Sequence, residues 1–151
     1  METFKVSVAE NIAVLRKKRG FTVRSLADRV SELGKSIHPS GISKMETGTR
    51  VPDALEVLAL SLAFGVNPSR ILLPFTAHSK TEVDVPGDGT VSARDLWEWA
   101  DGKRPLVIPE SNRGAALMDF ELNARPPELL RPDASTSEGR AWLFGEPDGE
   151  H

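Results

Sequence analysis

The stretch GISKMETGTR, residues 41–50, combines residue types that neither a core helix nor a solvated loop would choose. Ile42 and Met45 stand three apart, which places both on one side of a helix. Ser43 and Lys44 fall on or near the opposite side, with Ser40 and Gly41 just ahead of them. Gly48 can end such a helix, and Thr49 and Arg50 follow it. Pro39 suits its first turn, and His38 is a mediocre cap for it. A short helix anchored by Ile42 and Met45, with a polar outer side, accounts for the mixture.

The neighbouring sequence is punctuated in the same way. Ser7-x-x-Glu10 is a candidate capping box ahead of Val8, Ile12 and Leu15 at helical spacing, and Gly20 can stop that helix. Thr22 can cap a second helix with Val23, Leu26, Val30 and Leu33 on one face, stopped by Gly34. After residue 50, Asp53-x-x-Glu56 is another capping box. Leu55, Leu58, Ala59 and Leu62 then recur at i, i+3, i+4, i+7 and predict the buried face of a fourth helix. Asn67-Pro68 opens a short fifth helix with Ile71 to Leu73, and Pro74 closes it. Five helices with short connections predict a compact all-α domain over residues 1–76.

Residues 77–151 differ. They hold seven of the eleven prolines and frequent turn signals. Ser92-x-x-Asp95 can cap a helix through Trp97 and Trp99, with Gly102 as its stop. Val83–Val85 and Leu106–Ile108 read as short strands. Phe120, Leu122, Leu129 and Leu130 read as docking residues. The composition from about Arg131 predicts disorder. The expected extension is therefore irregular and Pro-rich, with one helix and short strands.

Charge separates along the same line. Residues 1–76 hold 11 Lys/Arg against 7 Asp/Glu, a net of +4, and residues 77–151 hold 8 against 15, a net of -7. The overall charge of -3 hides this asymmetry, which points to a charge-dependent partner for one half. The chain has no cysteine, which excludes disulfides, zinc-thiolate sites and thiol catalysis. The N-terminus carries charges throughout and does not read as a signal peptide. The longest apolar run is too short to span a bilayer. A cytoplasmic protein without membrane partners is the expectation.

Three helices in order, the second and third joined by a turn, make a helix-turn-helix. In that arrangement the third helix enters the major groove, and the N-terminus of the second directs backbone N–H groups at a phosphate. Lys44 can then donate to guanine edges or to phosphate, and Ser40 can donate or accept. Ser43, Thr49, Arg50, Thr22 and Arg24 are candidates for phosphate.

The segments IAVLRKKRGFTVRSLADRV and ISKMETGTRVPDALEVLALSLAFGVNPSRILL resemble the phage-repressor (Cro/repressor, XRE) helix-turn-helix family. The resemblance lies in Arg16, Gly20, Thr22, Leu26-Ala27, the run from Ile42 to Arg50, and Ala63-Phe64-Gly65-Val66, where Phe64 replaces the usual Leu. It covers roughly residues 7–74. It implies a five-helix, lambda-repressor-like bundle, a double-stranded DNA partner, a homodimer, and a pairing of Arg16 with Glu46. Two departures stand out. Leu26 and Ser43 are 17 positions apart, several more than is usual in that family, so the second helix is longer, the SerIleHisPro turn looser, or both. Val23 stands where the family often has a phosphate-touching Gln, leaving that contact to Arg24 or the Thr22 hydroxyl. The acidic tail with its Leu-Trp-x-Trp-Ala-x-Gly segment resembles actinobacterial regulators of this kind.

Other chemistries fail on inspection. The histidines at 38, 78 and 151 have no partner at metal-binding spacing. No nucleophile elbow, Walker loop or Rossmann glycine run exists. No enzyme activity and no cofactor are expected. The rival expectation is a protein-interaction module, antitoxin-like or a recruiting factor, working through the acidic residues 77–151.

Overall fold

The computed structural model describes residues 2–87 and 89–126. The chain divides into two compact units, Met1–Ala100 and Asp101–His151. The expected disorder beyond 131 and the docking residues Leu129 and Leu130 lie outside the described residues.

The first unit opens with α1 (Glu2–Lys18), α2 (Val23–Glu32), α3 (Pro39–Glu46), α4 (Ala54–Phe64) and α5 (Pro68–Leu72). A hairpin of β1 (Glu82–Val85) and β2 (Gly89–Ser92) follows, then α6 (Ala93–Ala100). The five-helix core is continuous: Val8, Ile12 and Leu15 of α1 meet Leu26 and Val30 of α2, Ile42 and Met45 of α3, Leu60 and Phe64 of α4, and Ile71 of α5. Capping sets most of the boundaries. Thr22 and Ser25 form a reciprocal box at α2, Asp53 and Glu56 form one at α4, and Asn67 accepts from the Arg70 N–H at α5. Gly65 ends α4 at φ +64°, a left-handed conformation that favours glycine.

The extra residues between Leu26 and Ser43 lie in the turn. Helix α2 has ten residues and stops at Glu32. The chain then passes Gly34 at φ +88°, and Ile37 drops into the core at 5% exposure. Lys35 Nζ reaches Asp53 Oδ2 at 3.2 Å and ties the loop to the start of α4. The long turn is therefore pinned at both a buried and a charged point.

Three expectations need correction. Helix α1 begins at Glu2, so Ser7 lies inside the helix and does not cap it. Leu55, Leu58 and Leu62 do not face the core. They are 63%, 50% and 66% exposed, and α4 buries Val57, Ala59, Leu60 and Phe64 instead. Leu106–Ile108 form no strand, because Pro105 and Pro109 bracket them and remove two ladder donors.

The hairpin is antiparallel, with Val83 opposite Val91 and Val85 opposite Gly89. It closes onto α6 through a Ser92 cap on the Asp95 N–H and buries Val83, Ala93 and Leu96. Trp97 Nε1 donates to the Pro74 carbonyl at 3.1 Å. The Phe75 ring lies edge-on to Trp97 at 6.3 Å and carries the Arg70 guanidinium at 3.7 Å. These contacts attach the hairpin and α6 to the end of α5. Trp99 points away and is exposed.

The second unit contains a short 3₁₀ turn (Glu110–Asn112) and α7 (Arg113–Ala124). Arg125 Nη2 donates to the carbonyls of Asp101 and Gly102. Helix α7 buries none of its residues fully. Phe120 is partly covered, and Leu122 is exposed.

Candidate nucleic-acid interface

Helix α3 is short, so its placement depends on what holds it. Ile42 and Met45 are essentially buried, at 0% and 1% exposure. Beneath its last turn, Arg16 forms a bidentate pair with Glu46, Nε to Oε1 and Nη2 to Oε2, the latter at 2.9 Å. The third guanidinium nitrogen donates to the Phe21 carbonyl at 2.9 Å. One side chain of α1 therefore grips the loop before α2 and the end of α3 together. The hydrogen bond to Glu46 raises the Arg16 pKa, with burial working against it. A fork-to-fork pair of this kind fixes orientation more than it adds net stability.

The residues after α3 are fixed by a second pair. Arg50 Nη2 meets Glu56 Oε1, while Glu56 Oε2 accepts the Asp53 N–H. Glu56 is 4% exposed, and Arg50 and the cap supply its partners. The other terminal nitrogen of Arg50, Nη1, is buried without a partner, 3.8 Å from where a Cβ on Gly41 would sit. The Arg50 guanidinium thus serves the joint between α3 and α4.

The outer face of α3 carries Ser40, Ser43, Lys44 and Thr47, spaced i, i+3, i+4 and i+7, all exposed. Their hydroxyls are partly engaged. Ser40 Oγ lies 2.8 Å from His38 Nδ1, Ser43 Oγ donates to the Pro39 carbonyl at 3.3 Å, and Thr47 Oγ1 donates to the Lys44 carbonyl. Thr49 Oγ1 lies 3.0 Å from Thr47 Oγ1. The Lys44 ammonium has no hydrogen bond or ion pair among the described residues. Gly41 has an ordinary negative φ, and a Cβ there would meet Ile37 at 3.4 Å, so glycine is not required by the backbone.

His38 is the cap of α3. Its Nδ1 accepts the Ser40 N–H at 3.2 Å. Accepting at Nδ1 leaves the proton of the neutral ring on Nε2. Only its position before Pro39 pointed to this role.

At α2 the Thr22 hydroxyl is occupied by the cap, accepting from Ser25 N at 3.0 Å. The Val23 and Arg24 N–H groups lie ahead of the first intrahelical bond, no acidic residue sits in that turn, and Arg24 is exposed. The structure therefore brings Ser40, Gly41, Ser43 and Lys44 together on α3, with Thr49 just beyond it. Thr22 and Arg24 sit at the α2 terminus, and Arg16, Glu46 and Arg50 lie in the joints.

Asn11 had no signal in the sequence. It is buried in α1, donates from Nδ2 to the carbonyls of Ile71 and Leu73, and accepts from Arg70 Nη1 at 2.7 Å. It clamps α5 to α1. Burial lowers the Arg70 pKa.

Among the described residues no cluster of three or more His, Asp or Glu could hold a metal ion, and no helix is long and apolar enough to cross a membrane.

Residues 12–71 match the model of the helix-turn-helix family. This segment matches as a helix-turn-helix domain of the Cro/C1, XRE-like type, and the match supports a DNA-binding regulator. That family is one of DNA-binding domains rather than enzymes. No curated protein and no solved structure matches the chain.

Proposed function

We propose that the chain is a sequence-specific transcriptional regulator that reads the major groove with α3 and acts as a homodimer. The carrying observation is Lys44, an exposed cation with no partner among the described residues, on a helix held by the Arg16–Glu46 and Arg50–Glu56 pairs. Lys44 and Ser40 are assigned to base edges, and Ser43, Thr49 and Arg24 to phosphates. Thr22 contributes through the α2 N-terminus it caps, where Val23 and Arg24 offer their N–H groups to a phosphate. Arg50, with Nη2 on Glu56 and Nη1 buried, is assigned to the joint between α3 and α4 rather than to a phosphate. Gly41 is assigned a backbone contact at the start of α3.

The test is fluorescence anisotropy of the full chain on random-sequence duplex at two salt concentrations. Affinity falls steeply with salt, because each phosphate contact releases counterion. Salt-independent binding contradicts the reading.

A second reading rests on a separate observation. Helix α7 exposes Leu117, Met118 and Leu122, at 38%, 68% and 59%, in an acidic half of the chain. Such a face suits a protein partner and supports an interaction role for residues 77–151 beside, or in place of, DNA binding. Met118→Glu in the full chain then abolishes capture of that partner without changing DNA affinity. Unchanged capture removes this reading.

A further inference from the structure

The outward side of α4 has a chemistry that DNA binding does not use. Its exposed positions are 54, 55, 58 and 62, and they hold Ala54, Leu55, Leu58 and Leu62. Each leucine is at least half exposed. The two polar residues of this helix, Glu56 and Ser61, are both buried. An ordinary surface helix shows the reverse distribution. The leucines recur at i, i+3 and i+7 and form one uninterrupted stripe.

We propose that two copies of the chain pack together through this stripe, α4 against α4 about a two-fold axis. This rests on the reading of the chain as an operator-binding regulator, and it names the dimer surface of that reading. Two observations favour a second copy over an unrelated partner. A two-fold interface is isologous, so the patch must complement itself. An uncharged leucine row meets its own copy without leaving any charge unpaired, while a charged partner segment finds nothing on α4 to pair with. The second observation is size. Three leucines per protomer fall well short of the roughly 1,600 Å² that a stable interface buries. The contact is therefore weak in free solution and needs a second tether. Two half-sites on one duplex supply that tether by raising the effective concentration of the protomers.

The experiment uses the full chain and its Leu58→Glu variant, with the fold of each verified by circular dichroism. Both are titrated on a duplex with one half-site and on a duplex with two. The wild type binds the double site cooperatively. Leu58→Glu binds the single site within about twofold of wild type and loses about tenfold or more on the double site, in keeping with the loss of tethered avidity. An equimolar mixture of Leu58→Glu and Leu58→Lys restores cooperative binding, because opposite charges then meet across the axis. Cooperative binding by Leu58→Glu alone overturns the proposal, and so does an equal loss on both duplexes. Sedimentation equilibrium at high concentration separates this proposal from the DNA reading. Weak self-association that Leu58→Glu abolishes sustains the α4 contact even where no duplex binds. A wild type that is monomeric at all concentrations and binds the double site without cooperativity overturns it.

Discussion

Helices α3 and α4 both bury an apolar inner face and differ in what they show. The first buries Ile42 and Met45 and shows Ser40, Ser43 and Lys44. The second buries Val57, Leu60 and Phe64 together with Glu56 and Ser61, and shows three leucines. Both are clamped into one core, and one arginine, Arg50, links the end of the first to the start of the second. The contrast teaches that the outer face of each helix is shaped by what it must meet. A polar face with a free cation suits a phosphate-lined groove, and an uncharged leucine face suits another apolar surface.

The largest expected difference separates two identical truncations two residues apart. Leu60→Ala removes a fully buried side chain and costs about 2–5 kcal/mol. Leu62→Ala, on the exposed side, changes monomer stability by less than about 0.5 kcal/mol. Chemical denaturation of both at low protein concentration measures the difference, and equal losses would return the stripe to the core. Arg16→Ala removes the bonds to Glu46 and to the Phe21 carbonyl and leaves a carboxylate that is 13% exposed without its partner. The expected cost is about 3 kcal/mol, read from the urea midpoint, with DNA affinity falling in parallel.

Lys44→Ala probes the outer face of α3 alone. Binding weakens by about 1–3 kcal/mol and specificity relaxes at one operator position if Lys44 reads a base. Uniform weakening with a shallower salt slope makes it a phosphate contact instead. Gly41→Ala separates folding from function. The backbone there accepts a side chain, so the melting temperature rises with a gain of up to about 1 kcal/mol in helix propensity. Operator affinity stays within about twofold, because the added methyl faces Ile37 and the buried Arg50 Nη1 rather than the duplex; a large loss would show that the duplex reaches this position.

The smallest effect is electrostatic. The Glu56 N–H bond, helped by Lys35, holds the Asp53 carboxyl below its ordinary pKa. A lowered folded-state pKa stabilises above the unfolded value, and that contribution disappears as pH falls through the folded one. The advantage of the wild type over Asp53→Asn in thermal melts is therefore full at about pH 6 and is lost as the pH falls below the ordinary carboxylate range. An advantage that persists in acid would place it elsewhere than in this carboxylate.

Much of the bundle was legible because caps and stops are local. Thr22, Asp53, Asn67 and Gly20 mark helix ends by chemistry that needs no tertiary partner. The face of α4 was not, since that helix is apolar nearly all round. Leu55, Leu58 and Leu62 share a helical period with Val57, Leu60 and Phe64, so spacing cannot choose between them. The choice is made by Glu56, whose carboxylate must reach both Asp53 and Arg50. The same bonds draw Arg50 into the joint, which spacing alone could not show. Helix α7 was hidden because Asn112 gives it no side-chain cap and Gly114 interrupts its first turn. Asn11 looks like any polar residue on a helix until α5 returns beside it.

The most direct test of α3 as the reading element is selection of bound sequences from random duplex DNA by the full chain and by Lys44→Ala. The account predicts that the wild type enriches two half-sites related by two-fold symmetry and that Lys44→Ala enriches a degenerate version of them. A wild type that enriches nothing, or a variant that enriches the same sequence with equal affinity, would contradict it.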